Sequence, residues 1–190
     1  MSDISSEMKP LTALGRQEPR TDTHKDVTMR EMSDIALASC AARLGQEDVA
    51  AKCLASFIGG NLPGPGKMTG DTLGSFWMGP GQWMVMAQHD THEDLAAQLV
   101  AATKGTASIT EQNDAWCCFE LTGPRLTSVF ELLCPVNLRA CSGGEATRTS
   151  IDHLSCFLLV SSPDRVRVFG PRSSAGSLHH ALLTAMRAAL

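Results

Sequence analysis

Three short segments concentrate the residue types that chemistry uses. His89-Asp90-Thr91-His92-Glu93-Asp94 gathers imidazoles and carboxylates in six consecutive positions, the kind of donors a divalent metal takes. They form one polar loop with no second ligand group in sequence, and acids ahead of a helix are expected from the helix dipole alone. His179-His180 falls inside a helical pattern, where neighbouring side chains point about 100° apart and are poorly placed on one ion. Cys117-Cys118 lies in a strand pattern; successive strand side chains face opposite ways, which disfavours redox chemistry between the two thiols.

The remaining signals lead the same way. Seven cysteines (Cys40, Cys53, Cys117, Cys118, Cys134, Cys141, Cys156) are an odd number without a Cys-x-x-Cys pair. That disfavours a disulfide framework and a zinc ribbon, and most of them read as small buried hydrophobes. Gly59 to Gly70 has no Gly-Lys-Ser/Thr ending, and the chain carries neither a Gly-x-Gly-x-x-Gly fingerprint nor a Gly-x-Ser-x-Gly elbow, so a phosphate cradle, a dinucleotide site and a nucleophile elbow are not expected. On this reading no catalytic, cofactor-binding or metal-ligating residue is assigned to the chain. Trp77 and Trp83 bracket Gly79-Pro80-Gly81 and are either core aromatics or an exposed anchor on which a partner docks.

The elements that must position these groups follow from periodicity. Ile35–Cys40 predicts a first strand, and Gln46–Ile58 predicts a helix with Glu47 and Asp48 in its first turn and Gly59-Gly60 at its end. The proline- and glycine-rich run 61–70 predicts a loop. Gly74–Gly79 and Gln82–Ala87 predict a hairpin around Pro80-Gly81. Thr91 and Asp94 resemble a capping box for a helix carrying Leu95, Leu99 and Ala102. Thr106–Thr110 and Ala115–Leu121 predict a second hairpin around Asn113-Asp114, and Pro124 stands where a first helical residue belongs, ahead of Leu126, Val129, Phe130 and Leu133. Three strands (146–151, 154–160, 166–169) and an amphipathic helix, Ser174–Ala189, complete the order. The pattern predicts an α+β fold of two split βαβ units, ferredoxin-like, with antiparallel sheet.

Residues 1–30 are polar, with Pro10, Pro19 and five acids, and predict an N-terminal tail, disordered alone and ordered only against a partner. Residues 31–190 then form a single domain, which 43% hydrophobic and 19% charged residues suffice to fold. A net charge of −4 argues against nucleic acid as a partner. No apolar stretch follows a positive flank at the start, and no run approaches the ~18 apolar residues of a membrane span, so a cytoplasmic protein is expected, with no membrane contact.

Four motifs in order carry a family resemblance. Phe76-Trp77-Met78-Gly79-Pro80-Gly81-Gln82-Trp83-Met84-Val85 resembles the W-x-G-P-x-x-W-L hairpin of the gamma subunits of heterotetrameric sarcosine oxidase. Leu121-Thr122-Gly123-Pro124-Arg125 resembles their L-S-G-P-R step. Cys134-Pro135-Val136-Asn137-Leu138 resembles C-P-x-D-L, with Asn137 where the family has Asp, and Pro171-Arg172-Ser173-Ser174-Ala175 with Leu178 resembles R-S-x-A-x-x-L. The resemblance implies a fold similar to the folate-binding domain of aminomethyltransferases and a structural, non-catalytic role beside alpha, beta and delta subunits. It also implies oxidative demethylation of sarcosine or a related N-methyl amine by the complex, in sarcosine catabolism and one-carbon metabolism. FAD, FMN, NAD, tetrahydrofolate and zinc are expected in the partner subunits and none in this chain. A stand-alone folate-binding, aminomethyltransferase-like protein is the alternative.

Overall fold

A computed structural model describes residues 10–190. In chain order its elements are β1 (Thr21–His24), β2 (Val27–Glu31), β3 (Ile35–Ala42), α1 (Glu47–Ile58), β4 (Met68–Thr69), β5 (Gly74–Gly79), β6 (Gln82–Gln88), α2 (Leu95–Thr103), β7 (Ala107–Glu111), β8 (Trp116–Thr122), α3 (Leu126–Glu131), β9 (Glu145–Ile151), β10 (Leu154–Ser162), β11 (Arg165–Pro171) and α4 (Ala175–Ala189). One antiparallel sheet runs β4-β5-β6-β3-β7 and the other β1-β2-β8-β11-β10-β9. The α+β class and the two split βαβ units expected from the sequence are both present.

The two sheets repeat one plan. In the first, β3-α1-β5-β6-α2-β7 gives the order β5-β6-β3-β7, with β4 added outside β5. In the second, β8-α3-β10-β11-α4 retraces that path with β9 added outside β10, but the place beside β8 that β7 takes beside β3 is filled by β2, from the other end of the chain.

Strand alternation sorts the core into three layers. Ala36, Ala38, Cys40, Trp83, Val85 and Ala87 face α1 and α2, where Leu54, Leu95 and Leu99 meet them. Phe119, Leu121, Leu158, Val160, Val166 and Val168 face α3 and α4. Between the sheets lie Leu37, Phe76, Met84, Met86, Phe157, Leu159 and Phe169, with the Phe76 ring 5.0 Å from Phe157 and 5.8 Å from Phe169. The central strands are buried on both faces, which is why Trp83–Ala87 and Phe157–Val160 read as unbroken apolar runs.

Several local expectations are corrected. Residues 1–9 of the expected tail lie outside the described residues, but Thr21–Glu31 forms a hairpin in the second sheet. Its buried positions are Val27, Met29 and Glu31, and the glutamate at a core position breaks the apolar alternation a sequence reader looks for. Both Glu31 carboxylate oxygens are occupied: Oε1 accepts the Leu14 N–H at 2.9 Å and Oε2 the Arg20 N–H at 3.1 Å.

The segments around Asn113-Asp114 are not a hairpin; β7 pairs with β3 and β8 with β2 and β11. Asn113 Oδ1 accepts the Leu37 N–H at 2.7 Å on one sheet while the Ala115 carbonyl accepts the Arg172 N–H on the other, so these turn residues carry the chain from sheet to sheet. Pro124 precedes the helix instead of opening it, because Arg125 takes a left-handed φ of 64° at the N-cap of α3. Gly123, at φ 131°, lies so close to the β1–β2 turn that a Cβ there would stand 2.2 Å from the Asp26 carbonyl oxygen. The capping box does not form: Thr91 Oγ1 donates to the Gln88 carbonyl, and Asp94 makes no side-chain cap. The 61–70 loop contains the short strand β4.

Candidate functional site

The structure separates most of the groups that the sequence places side by side. Cys117 faces the helices and Cys118 the space between the sheets. His179 is buried against the Phe119 ring, whereas His180 is exposed. Of the 89–94 segment, His92 Nδ1 lies 2.9 Å from Thr91 Oγ1, and among the described residues no three His, Cys, Asp or Glu side chains converge as metal ligands. Trp83 is a core residue whose Nε1 donates to the Pro63 carbonyl at 3.0 Å, pinning the 61–66 loop. Trp77, directly opposite, is half-buried at the rim.

Burial decides what the cysteines can do. It pushes the thiols of Cys40, Cys117 and Cys156 up to about 11 and that of Cys118 well above the ordinary 9.0. At neutral pH only roughly one part in ten thousand of a thiol at 11 is thiolate. Native protein treated with iodoacetamide near neutral pH should therefore leave all four unmodified, with labelling after unfolding in urea, as read by peptide mass spectrometry.

Two charged clusters escape a sequence reader because their members are far apart in the chain. In the first, His179 Nε2 lies 2.8 Å from Asp22 Oδ2, and Arg20 reaches both oxygens of Asp22 at 2.7 and 2.8 Å. An imidazole beside a carboxylate is the basic half of a nucleophile triad. Here Nε2, the atom that would face a nucleophile, is spent on Asp22, and the pair ties β1 to α4. Arg20, against the opposing effect of burial and helped by His179, holds the Asp22 carboxyl below its ordinary 3.8. A depressed carboxylate stabilises the fold fully above the unfolded value, and that contribution fades as pH falls through the folded one. Wild type should thus lose its thermal-stability margin over Asp22→Asn below about pH 4, as read from melting temperatures of the two proteins across pH 2 to 7.

In the second cluster, Glu120 Oε2 accepts from Arg165 Nε and Arg167 Nε, both at 2.8 Å, while Asp71 takes Arg165 at 2.7 Å and Arg167 at 2.9 Å. Two cations and two anions close a neutral clasp between the Gly70–Gly74 loop of one sheet and β8 and β11 of the other. It stabilises the contact of the sheets and leaves no charge free for a ligand.

Concavities are the other place a ligand could sit. A polar cleft of about 420 Å³ is lined by Thr12, Gln17, Ser33, His89, Asn113 and Arg172, but Arg172 already donates to the Leu11 carbonyl and Asn113 already serves Leu37. An apolar groove of about 370 Å³ lies between α3 and α4, with Leu133, Ala181, Ala185 and the exposed Leu132 along it. Among the described residues, the charged groups of both clusters, and Arg172 and Asn113 in the polar cleft, are thus already held by partners within the fold. Among the described residues no helix is long and apolar enough to cross a membrane.

No protein-family model and no curated protein matches the chain. Its fold is similar to that of a chain in the heterotetrameric sarcosine oxidase from Corynebacterium sp. U-96, solved with pyrrole 2-carboxylate, at a TM-score of 0.77 and 22% identity over 88% of this chain and 87% of that one. It is also similar to the glycine cleavage system aminomethyltransferase T from Bartonella henselae, at a TM-score of 0.59 and 14% identity over 80% of this chain. The match spans 44% of that enzyme, less than half its length.

Proposed function

We propose that this chain is the gamma subunit of a heterotetrameric, sarcosine oxidase-type flavoenzyme. In that role it is a structural component of a cytoplasmic complex that oxidatively demethylates sarcosine or a related N-methyl amine. The observation that carries the reading is the likeness to a chain of such a heterotetramer over nearly the whole of both chains, which are therefore of nearly equal length. The four ordered sequence motifs support it. The alpha, beta and delta subunits are the proposed partners, with no nucleic acid or membrane. FAD, FMN, NAD, tetrahydrofolate and zinc are proposed to reside in those partners, whereas residues 31–190, completed by the hairpin before them, act as one domain.

Co-expression with alpha, beta and delta chains tests this. A stoichiometric complex with a flavin absorbance spectrum and sarcosine-dependent turnover, from a chain that is colourless and inactive alone, is the expected result. Turnover of an amine by the isolated chain, or no association with those chains, overturns it. The likeness to aminomethyltransferase T favours a second reading, a folate-binding protein of that type; tight binding of tetrahydrofolate by the isolated monomer in a calorimetric titration would establish it instead.

A further inference from the structure

The outer edge of β9 is half covered. Lys67 forms a single antiparallel bridge with Glu145, the Gly66 carbonyl accepts the Ala146 N–H and the Gly144 carbonyl accepts the Met68 N–H. There the covering strand ends, because the chain turns away at Pro63-Gly64-Pro65. Backbone groups alternate sides along an antiparallel strand. Since Ala146 directs its N–H outward, Arg148 and Ser150 direct theirs outward too, together with their carbonyls, while Thr147, Thr149 and Ile151 serve β10. Among the described residues no strand pairs with this outer edge beyond Glu145.

Beside that open edge is a notch of about 220 Å³ lined by Gly66, Trp77, Met78, Ala146, Arg148 and Phe157. This is below the size of ordinary small-molecule sites and suits one bulky apolar side chain. Arg148 closes its outer side. Its guanidinium lies 5.7 Å from the Phe157 ring centroid, Nε donates to Ser155 Oγ at 3.1 Å, and among the described residues it forms no ion pair. Lys67, by contrast, is matched to Glu145 at 3.2 Å.

We infer that Thr147–Ile151 is the docking edge for an extended segment of a partner subunit, added as a further antiparallel strand. Residues that face the notch on such a strand lie two apart. The segment it fits therefore carries a bulky apolar residue, seated against Trp77 and Phe157, and an acidic residue two positions away that pairs with Arg148. The inference rests on the subunit reading above and deepens it by naming the surface and the chemistry of the partner.

Amide hydrogen exchange on the full chain, alone and in the co-expressed complex, tests it. Exchange at Arg148 and Ser150 should be fast in the free chain and at least tenfold slower in the complex. Ser150→Pro removes an outward donor and blocks the edge while leaving the ladder to β10 intact, so it should lose its partners in co-purification with a melting temperature close to wild type. Arg148→Glu, which leaves the backbone untouched, should weaken association at least tenfold, and Ser150→Ala should not. A complex that forms with both edge amides still exchanging freely and with Ser150→Pro and Arg148→Glu retained overturns the inference and leaves the subunit reading standing. If wild type captures no partner subunit, both fall together. Protection of the edge in a homodimer of the isolated chain would also overturn it, by making the occupant a second copy.

Discussion

Removing everything before Met32 should abolish cooperative folding of the isolated chain. The deletion takes away β2, whose Val27 and Met29 are 0% and 1% exposed in the layer under α3 and α4. Full burial of such side chains stabilises by roughly 1.5 to 3 kcal/mol each, against a total of about 5 to 15 kcal/mol for a whole domain. The loss continues through the Asp22–His179 contact and the Glu31 carboxylate that ties down Leu14 and Arg20. It also leaves the β8 backbone, now paired through Thr28–Glu31, as a bare apolar edge open to aggregation. The expected result is a truncated protein without a sigmoidal thermal transition and with loss of near-ultraviolet circular dichroism. A truncated chain that melts cooperatively within a few degrees of full length would show that the hairpin is peripheral.

Glu120→Ala is the point substitution with the largest expected effect. The Arg167 side chain is 6% exposed and that of Glu120 13%, and removing one member of a buried ion pair leaves the other charge uncompensated, at about 3 to 5 kcal/mol. The effect is expected near the lower figure, because Asp71 still reaches Arg167 at 2.9 Å and Arg165, 35% exposed, can turn to water. Urea denaturation should record a fall of about 3 kcal/mol, and Glu120→Gln, which keeps an acceptor without the charge, should lose less. A loss for Glu120→Ala below about 1 kcal/mol would mean that Asp71 alone compensates the buried Arg167 charge.

The helices and central strands are legible in the sequence because their periodicity survives burial. Glu47–Ile58 and Ala175–Ala189 keep an apolar stripe, and Gly59, at φ 70°, ends the first of them as its residue type suggests. The Pro80-Gly81 turn is equally local, with Gly81 at φ 65°. What escapes notice depends on contacts distant in the chain. The β2 strand hides behind a glutamate whose partners are backbone N–H groups of another loop, and the Asn113-Asp114 turn cannot say that its flanking strands enter different sheets. Arg165-Val166-Arg167 reads as an ordinary alternating strand until Glu120 and Asp71 are brought to it. The notch and edge at Arg148 are invisible for the same reason: an unfinished strand pairing is a property of where the Gly64–Met68 segment stops, not of the residues it leaves uncovered.

Because β2 occupies a place in the second sheet that its counterpart β7 occupies in the first, that sheet joins residues separated by about ninety positions, such as Met29 and Leu121. During synthesis the first unit has all its strands once β7 has emerged, while β2, made before any of them, must wait for β8 before it finds its neighbour. The second half is accordingly the late, high-contact-order step of folding, and the interval before it closes is when a chaperone or a co-translated partner has most to protect.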